Sequence, residues 1–188
     1  MTGNTYRWPT DATANATRTF TSPFGYVIKG LTTGYDFFTS PDETGLNVSN
    51  SIVTADLSWG YHLGAKNATG VYCRNANGSR YIFQVQEEAL SGAPGQWAIM
   101  RDDNGTAKTL KRGTSANLSG AGAIVAAACV TDSSGVTHLG LSIGGAEAGE
   151  ASDSNGLPSG HAGVYLSTID SAAQIEVDHF TLYAATFS

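Results

Sequence analysis

From Ser51 onward, apolar side chains recur at every second position in short runs broken by glycine and asparagine, and this period of two most restricts the fold. The runs are Ser51 to Tyr61, Val71 to Asn75, Arg80 to Gln86, Gln96 to Arg101, Thr137 to Ile143 and Gln174 to Ala184. Successive residues of a strand point to opposite faces, so each run reads as a strand with one dry and one wet face. Around Tyr81, for example, Phe83 and Val85 take one face while Gln84 and Gln86 take the other. Asn77-Gly78, Asn104-Gly105, Gly144-Gly145 and Asn155-Gly156 tolerate the positive φ of tight hairpins between strands. Half-apolar strands joined this way bury their faces by stacking two sheets, which predicts an all-β antiparallel sandwich.

Helix signals are weak, because no window keeps apolar residues at i, i+3, i+4 and i+7 without Gly, Pro or a β-branched cluster. Ala121 to Ala128 is the strongest competitor, yet Ile124, Val125, Cys129 and Val130 with Gly120 and Gly122 read as a fully buried strand. In the last run Ile175 and Val177 share one phase and Phe180 and Leu182 the other, which predicts a β-bulge near Asp178 and His179. The first forty-five residues carry apolar patches at Phe20, Phe24 to Ile28 and Tyr35 to Phe38, and are expected to hold loops with one or two strands. Residues 1–20 are expected to be loosely ordered at their start. The 188 residues fit one domain spanning 1–188.

Only 14% of residues are charged, and 23 are glycine, so solubility rests on hydroxyls and amides more than on ions. The formal charge of -6 and ten basic residues argue against a nucleic-acid partner, which needs a clustered Lys/Arg surface. No stretch reaches the roughly 18 to 20 apolar residues that span a bilayer, and the opening Met-Thr-Gly-Asn-Thr-Tyr lacks the parts of a signal peptide. This composition fits an excised extracellular or cell-surface domain, with oligomeric state left open. Cys73 and Cys129 each lie in an apolar strand-type run, and either a disulfide or two buried thiols suits them.

From about Asn50 to Ala185 the order of motifs resembles the concanavalin A-like, laminin-G-like jelly-roll family related to the 3-keto-disaccharide hydrolase domain, as found in actinobacterial surface proteins. The matching pieces are Gly70-Val71-Tyr72-Cys73-Arg74, Tyr81-Ile82-Phe83-Gln84-Val85 and Gly95-Gln96-Trp97-Ala98-Ile99-Met100-Arg101. Ala128-Cys129-Val130, Leu139-Gly140-Leu141-Ser142-Ile143, Asp153, Ser159-Gly160-His161-Ala162-Gly163-Val164 and Val177-Asp178-His179-Phe180 follow. The resemblance implies a two-sheet jelly roll and a Cys73–Cys129 disulfide. Such folds serve in sugar-binding modules, surface receptors and lipoproteins, and some carbohydrate-active enzymes, so fold alone does not choose among them.

Sugar hydrolysis needs paired carboxylates, and the candidates Glu87, Glu88, Glu147, Glu150 and Asp178 show no pairing in sequence. Asp178, between Val177 and the aromatic Phe180, reads instead as a buried structural acid that needs hydrogen-bond donors or a cation. His62, His138, His161 and His179 lack metal-ligand spacing. Asp153 with Asn155, or Asp102 with Asp103 and Asn104, are oxygen-rich turns that could hold a structural calcium, although plain turn formation explains them more simply. No catalytic cofactor is expected. Sugar rings stack their C–H faces on aromatic side chains while amides and charged groups read the hydroxyls, so Trp97, Arg101, Tyr81, Trp59 and Tyr61 are the candidate ligand-binding residues, with core burial the competing role for Trp59 and Tyr81. The leading expectation is a noncatalytic extracellular domain that recognises carbohydrate or another cell-envelope component. The alternatives are a structural or protein-interaction ectodomain of a surface receptor or lipoprotein, and a glycoside hydrolase or lyase.

Overall fold

The computed structural model describes residues 8–21, 25–41, 48–59, 63, 66–86, 94–118 and 120–185. Its strands are β1 (Asp11–Ala12), β2 (Ala16–Thr21), β3 (Gly25–Gly30), β4 (Tyr35–Thr39), β5 (Ser51–Ser58), β6 (Ala68–Ala76) and β7 (Ser79–Gln86). They continue as β8 (Gly95–Asp103), β9 (Thr106–Ser115), β10 (Gly122–Thr131), β11 (Thr137–Ile143), β12 (Ala146–Asp153), β13 (His161–Thr168) and β14 (Ala173–Ala184). Two antiparallel sheets result, one in the order β1-β2-β3-β14-β5-β10-β11-β12 and one in the order β4-β13-β6-β7-β8-β9. The all-β, two-sheet antiparallel sandwich expected from the period-two pattern is therefore present, in the jelly-roll form that the resemblance implied.

Inward-facing residues of both sheets form one core that includes Val53, Ala55 and Leu57 of β5, Phe83 and Val85 of β7, and Leu139, Leu141 and Ile143 of β11. Cys73 of β6 and Cys129 of β10 meet in this core as a disulfide that ties sheet to sheet, with Cα atoms 6.7 Å apart. The Asn77-Gly78, Asn104-Gly105 and Gly144-Gly145 pairs all carry positive φ and close the hairpins β6–β7, β8–β9 and β11–β12. Asn155-Gly156 instead lies in the longer connection from β12 to β13. The ladder between β14 and β5 shifts register between Val177 and His179, which is the expected bulge. A bulge leaves one residue unpaired, and here that residue, Asp178, is turned out to solvent. Asp178 is thus exposed, not a buried structural acid; the alternation read across it stops at the bulge.

Among the described residues the amino-terminal region holds four strands instead of one or two. Trp8 stacks on Tyr26 at 4.8 Å, and β2 pairs with β3 from Ala16 to Thr21. Three further strands, β9, β12 and β13, lie outside the expected runs for two different reasons. β9 and β12 are sheet edges whose exposed positions are mostly polar, so no apolar alternation marks them. β13 is buried on both faces from Ala162 to Thr168, so both phases are filled and the period of two disappears.

Candidate functional site

The outer face of the six-stranded sheet carries a second buried cluster, formed by Ala68, Tyr72, Ile82 and Tyr165, with Phe38 and Met100 packed on it. An outer face of a sandwich normally meets water, so burial there requires side chains that lie flat on the sheet. Glycine makes room at one point: a Cβ at Gly163 of β13 would meet the Tyr72 phenol. Phe38 of β4 packs on this cluster, stacked on Tyr165 at 5.0 Å and edge-on to Tyr72 at 5.5 Å. The Arg80 guanidinium of β7 covers the same Phe38 ring at 3.8 Å.

Beside this ridge is a depression of about 290 Å³, lined by Asp36, Ile82, Gln84, Met100, Asp102 and Tyr165 together with Ser167, Ile169 and the β8–β9 turn. Asp36 sits on one edge strand and Ala107 on the other, yet both line the same hollow. The lining thus runs across the width of the six-stranded sheet. The floor is apolar at Ile82 and Met100; the polar groups are the Gln84 amide, the Asp36 carboxylate, the Tyr165 hydroxyl and Ser167.

Electrostatics fix these groups. Tyr165 is buried and its hydroxyl donates to Asp36 Oδ1 at 3.4 Å; burial first, then the nearby carboxylate, pushes the phenol well above its usual range. Burial likewise pushes Tyr72 up to about 12. Asp102 is 3.4 Å from Arg80 Nε and accepts the Gly105 backbone N–H at 2.7 Å, which holds the turn that forms one rim.

The aromatic residues expected to bind ligand lie elsewhere. Trp59, Tyr81 and Trp97 are all core residues, with Tyr81 at 0% exposure and Trp97 at 6%. Trp97 is clasped between Gly113 of β9 and Gly149 of β12, both of which lack a Cβ that would meet its indole, and its Nε1 donates to the Thr114 carbonyl at 3.2 Å. Tyr81 donates to Asp153 at 2.8 Å and accepts the Leu157 N–H at 3.0 Å. Arg101 joins the same end of the sandwich, bonded to Asp103 and Asp153, and braces the β12–β13 connection. Burial corrects Trp59, Tyr81 and Trp97 from ligand-binding to core roles, the Arg101 guanidinium is held by Asp103, Asp153 and the Asn155 carbonyl, and Tyr61 lies outside the described residues. Tyr81 shares its phase with Phe83 and Val85, so the alternation that sends Gln84 outward sends Tyr81 inward. The outward phase of the same strands, Ile82, Gln84 and Met100, is the signal that could have located the depression; Asp36 and Tyr165 come from strands that sequence periodicity does not mark.

Both oxygen-rich turns are engaged by cations of the protein. Asp153 is bonded to Arg101, Tyr81 and the Asn155 N–H, while Asp102 and Asp103 are held by Arg80 and Arg101. Among the described residues no group of three or more His, Cys, Asp and Glu could hold a metal. His138 lies 2.9 Å from Asp132, and His161 and His179 lie on β13 and β14. Glu147 and Glu150 line a second, shallower trough on the outer face of the eight-stranded sheet, with Ile52, Ala126, Ala128, Gly140 and Ser142. The register shift between Leu141 and Ser142 puts the two acids on one face, opposite Ser142 and Gly140. Glu87, Glu88 and His62 lie outside the described residues.

A buried core between two antiparallel sheets, bridged by a disulfide and hollowed on the outer face of the six-stranded one, defines a jelly roll of the concanavalin A-like kind. Comparison with solved structures agrees. The chain is similar to the carbohydrate binding module CBM66 from Bacillus subtilis, with TM-score 0.70 and 15% identity over 96% of this chain and 98% of that one. It is also similar to Bacillus licheniformis β-glucanase, with TM-score 0.61 and 9% identity over 98% and 94% of the two chains. The chicken-liver agglutinin CG-16 matches with TM-score 0.52 and 12% identity, over 79% of this chain and all of that one. No family model matches the chain, and no curated protein matches it in sequence. At these identities the likeness is one of fold.

Proposed function

We propose that the chain is a noncatalytic extracellular domain that recognises carbohydrate, seating a sugar in the depression on the outer face of the six-stranded sheet. The observation that carries this reading is the lining itself: an apolar floor of Ile82 and Met100 surrounded by an amide, a carboxylate and hydroxyls. A sugar ring has the complementary surfaces, C–H faces for the floor and hydroxyls for Gln84, Asp36, Tyr165 and Ser167. End-to-end likeness in fold to a carbohydrate binding module supports the reading. The sheet-to-sheet disulfide supports an oxidising location such as the cell surface. Kinship with the 3-keto-disaccharide hydrolase domain remains part of it, resting on motif order alone. Hydrolysis is the weaker reading, because Asp102 is already committed to Arg80 and to the Gly105 N–H.

A protein-interaction ectodomain is the second reading, favoured by one feature. Ile52, Ile124 and Tyr183 are exposed large hydrophobics on the strands β5, β10 and β14, which adjoin in the eight-stranded sheet. The two readings separate on a glycan array probed with the chain and with Gln84→Ala. Binding that Gln84→Ala weakens about tenfold, with an unchanged melting temperature, is the expected result for the loss of a hydrogen-bonding amide. Retained binding in Gln84→Ala would remove the depression as the site.

A further inference from the structure

We infer that the depression takes a neutral sugar residue and turns away uronic-acid and sulfated ones, with the Asp36 carboxylate, left uncompensated beside the Arg80–Asp102 pair, setting the choice; this rests on the binding face proposed above. Two carboxylates, Asp36 and Asp102, line the hollow. The cation beside them is Arg80, which is itself held against the protein. Its guanidinium lies over the Phe38 ring at 3.8 Å, its Nε is 3.4 Å from Asp102, and its Nη2 donates to the Gly78 carbonyl at 2.7 Å. Arg18 donates to Thr39 Oγ1 at 3.4 Å, and Arg112 projects from the same face opposite Ala98 but outside the lining. The lining therefore offers two negative groups and no positive side chain, while Gln84 supplies a neutral amide that both donates and accepts.

A hydroxyl can donate to Asp36 and exchange hydrogen bonds with Gln84, so a neutral ring loses water contacts and regains them from the protein. A carboxylate or sulfate in the same place finds only neutral donors, the Gln84 amide and the hydroxyls of Tyr165 and Ser167, and meets an uncompensated charge. At about 7 Å and an effective dielectric between those of protein surface and water, one like charge weakens binding roughly tenfold. Arg80 offsets most of the Asp102 charge, which leaves Asp36 as the net repulsive group. The same arrangement makes the choice reversible. Asp102→Asn keeps an oxygen for the Gly105 N–H and releases Arg80 from its ion pair, and Asp36→Asn removes the remaining charge from an exposed position.

The test is an array of neutral hexose and pentose oligosaccharides beside galacturonate and glucuronate oligomers and sulfated galactans, with affinities for the best neutral and best anionic member then measured by titration calorimetry. The wild-type chain is expected to bind neutral members and to bind their anionic counterparts at least tenfold more weakly. Asp36→Asn should narrow that ratio about tenfold, and Asp102→Asn should raise affinity for the anionic member by a similar factor. Circular dichroism of both variants checks the fold, and Asp36→Asn, at an exposed position, keeps the test alive if Asp102→Asn unfolds. Anionic sugars bound as tightly as neutral ones by the wild type, or a ratio that neither variant moves, would overturn the selectivity and leave the binding face standing. Absence of binding to any array member would overturn the binding face, and the selectivity with it.

Discussion

Removal of the Cys73–Cys129 bridge should cost this domain about 4 kcal/mol without abolishing the fold. The bonded residues are 56 apart in sequence, and closure of a loop of that length lowers the entropy of the unfolded chain by about 14 cal/mol/K, which is about 4 kcal/mol at 25 °C. That is a large share of the roughly 5 to 15 kcal/mol by which domains are stable. The fold should survive, because the sulfurs sit inside a continuous core in which Val71, Phe83, Val125 and Leu139 are already packed. Urea unfolding of Cys73→Ala/Cys129→Ala, followed by tryptophan fluorescence, measures the effect. With a slope near 2 kcal/mol/M the midpoint should fall by about 2 M. The slope itself should rise, since the unfolded chain without the bridge exposes more surface. A midpoint shift below about 0.5 M would refute the reasoning and place the cohesion of the two sheets in the core packing alone.

Three further outcomes follow from individual side chains. Trp97→Ala should destabilise the domain by about 3 to 5 kcal/mol, the usual cost of emptying an aromatic core position, and Gly149→Ala should destabilise it by crowding the same indole; thermal melts of both variants check this. Burial pushes Asp153 up, but Arg101, the Asn155 N–H and the Tyr81 hydroxyl outweigh it, so its carboxyl is held below the ordinary 3.8. A depressed carboxylate contributes stability that is present above the unfolded value and lost as pH falls through the folded one, so wild type should lose more stability than Asp153→Asn below about pH 4 in melts across an acid series. Tyr72 shifts the other way, from 10.0 to about 12, so its contribution is intact below pH 10 and lost as pH rises through 12. Phenolate absorbance should therefore show Tyr72 and Tyr165 titrating only as the fold opens, and Tyr72→Phe should reduce the alkaline loss.

The strands of the central sheets were legible because each has one wet face, and the bulge at Val177–His179 was legible because apolar residues change phase across it. The edge strands β9 and β12 carry no apolar phase, and β13 carries two, so neither kind shows a period of two. The binding candidates failed for a related reason. Aromatic residues advertise themselves in a sequence, and Trp59, Tyr81 and Trp97 were read for what their rings can bind. Their own neighbours, Phe83, Val85 and Ile99, share their phase and set them in the core.

What the chain order and residue chemistry alone determine is an antiparallel sandwich with hairpins at the Asn-Gly and Gly-Gly pairs, because alternation and turn preference act over a few residues. Which face is hollowed, that Phe38 lies beneath Arg80, and that Asp36, Gln84, Met100 and Tyr165 surround one hollow are decided only in three dimensions. These groups come from β4, β7, β8 and β13, far apart in sequence, and sheet pairing brings them together.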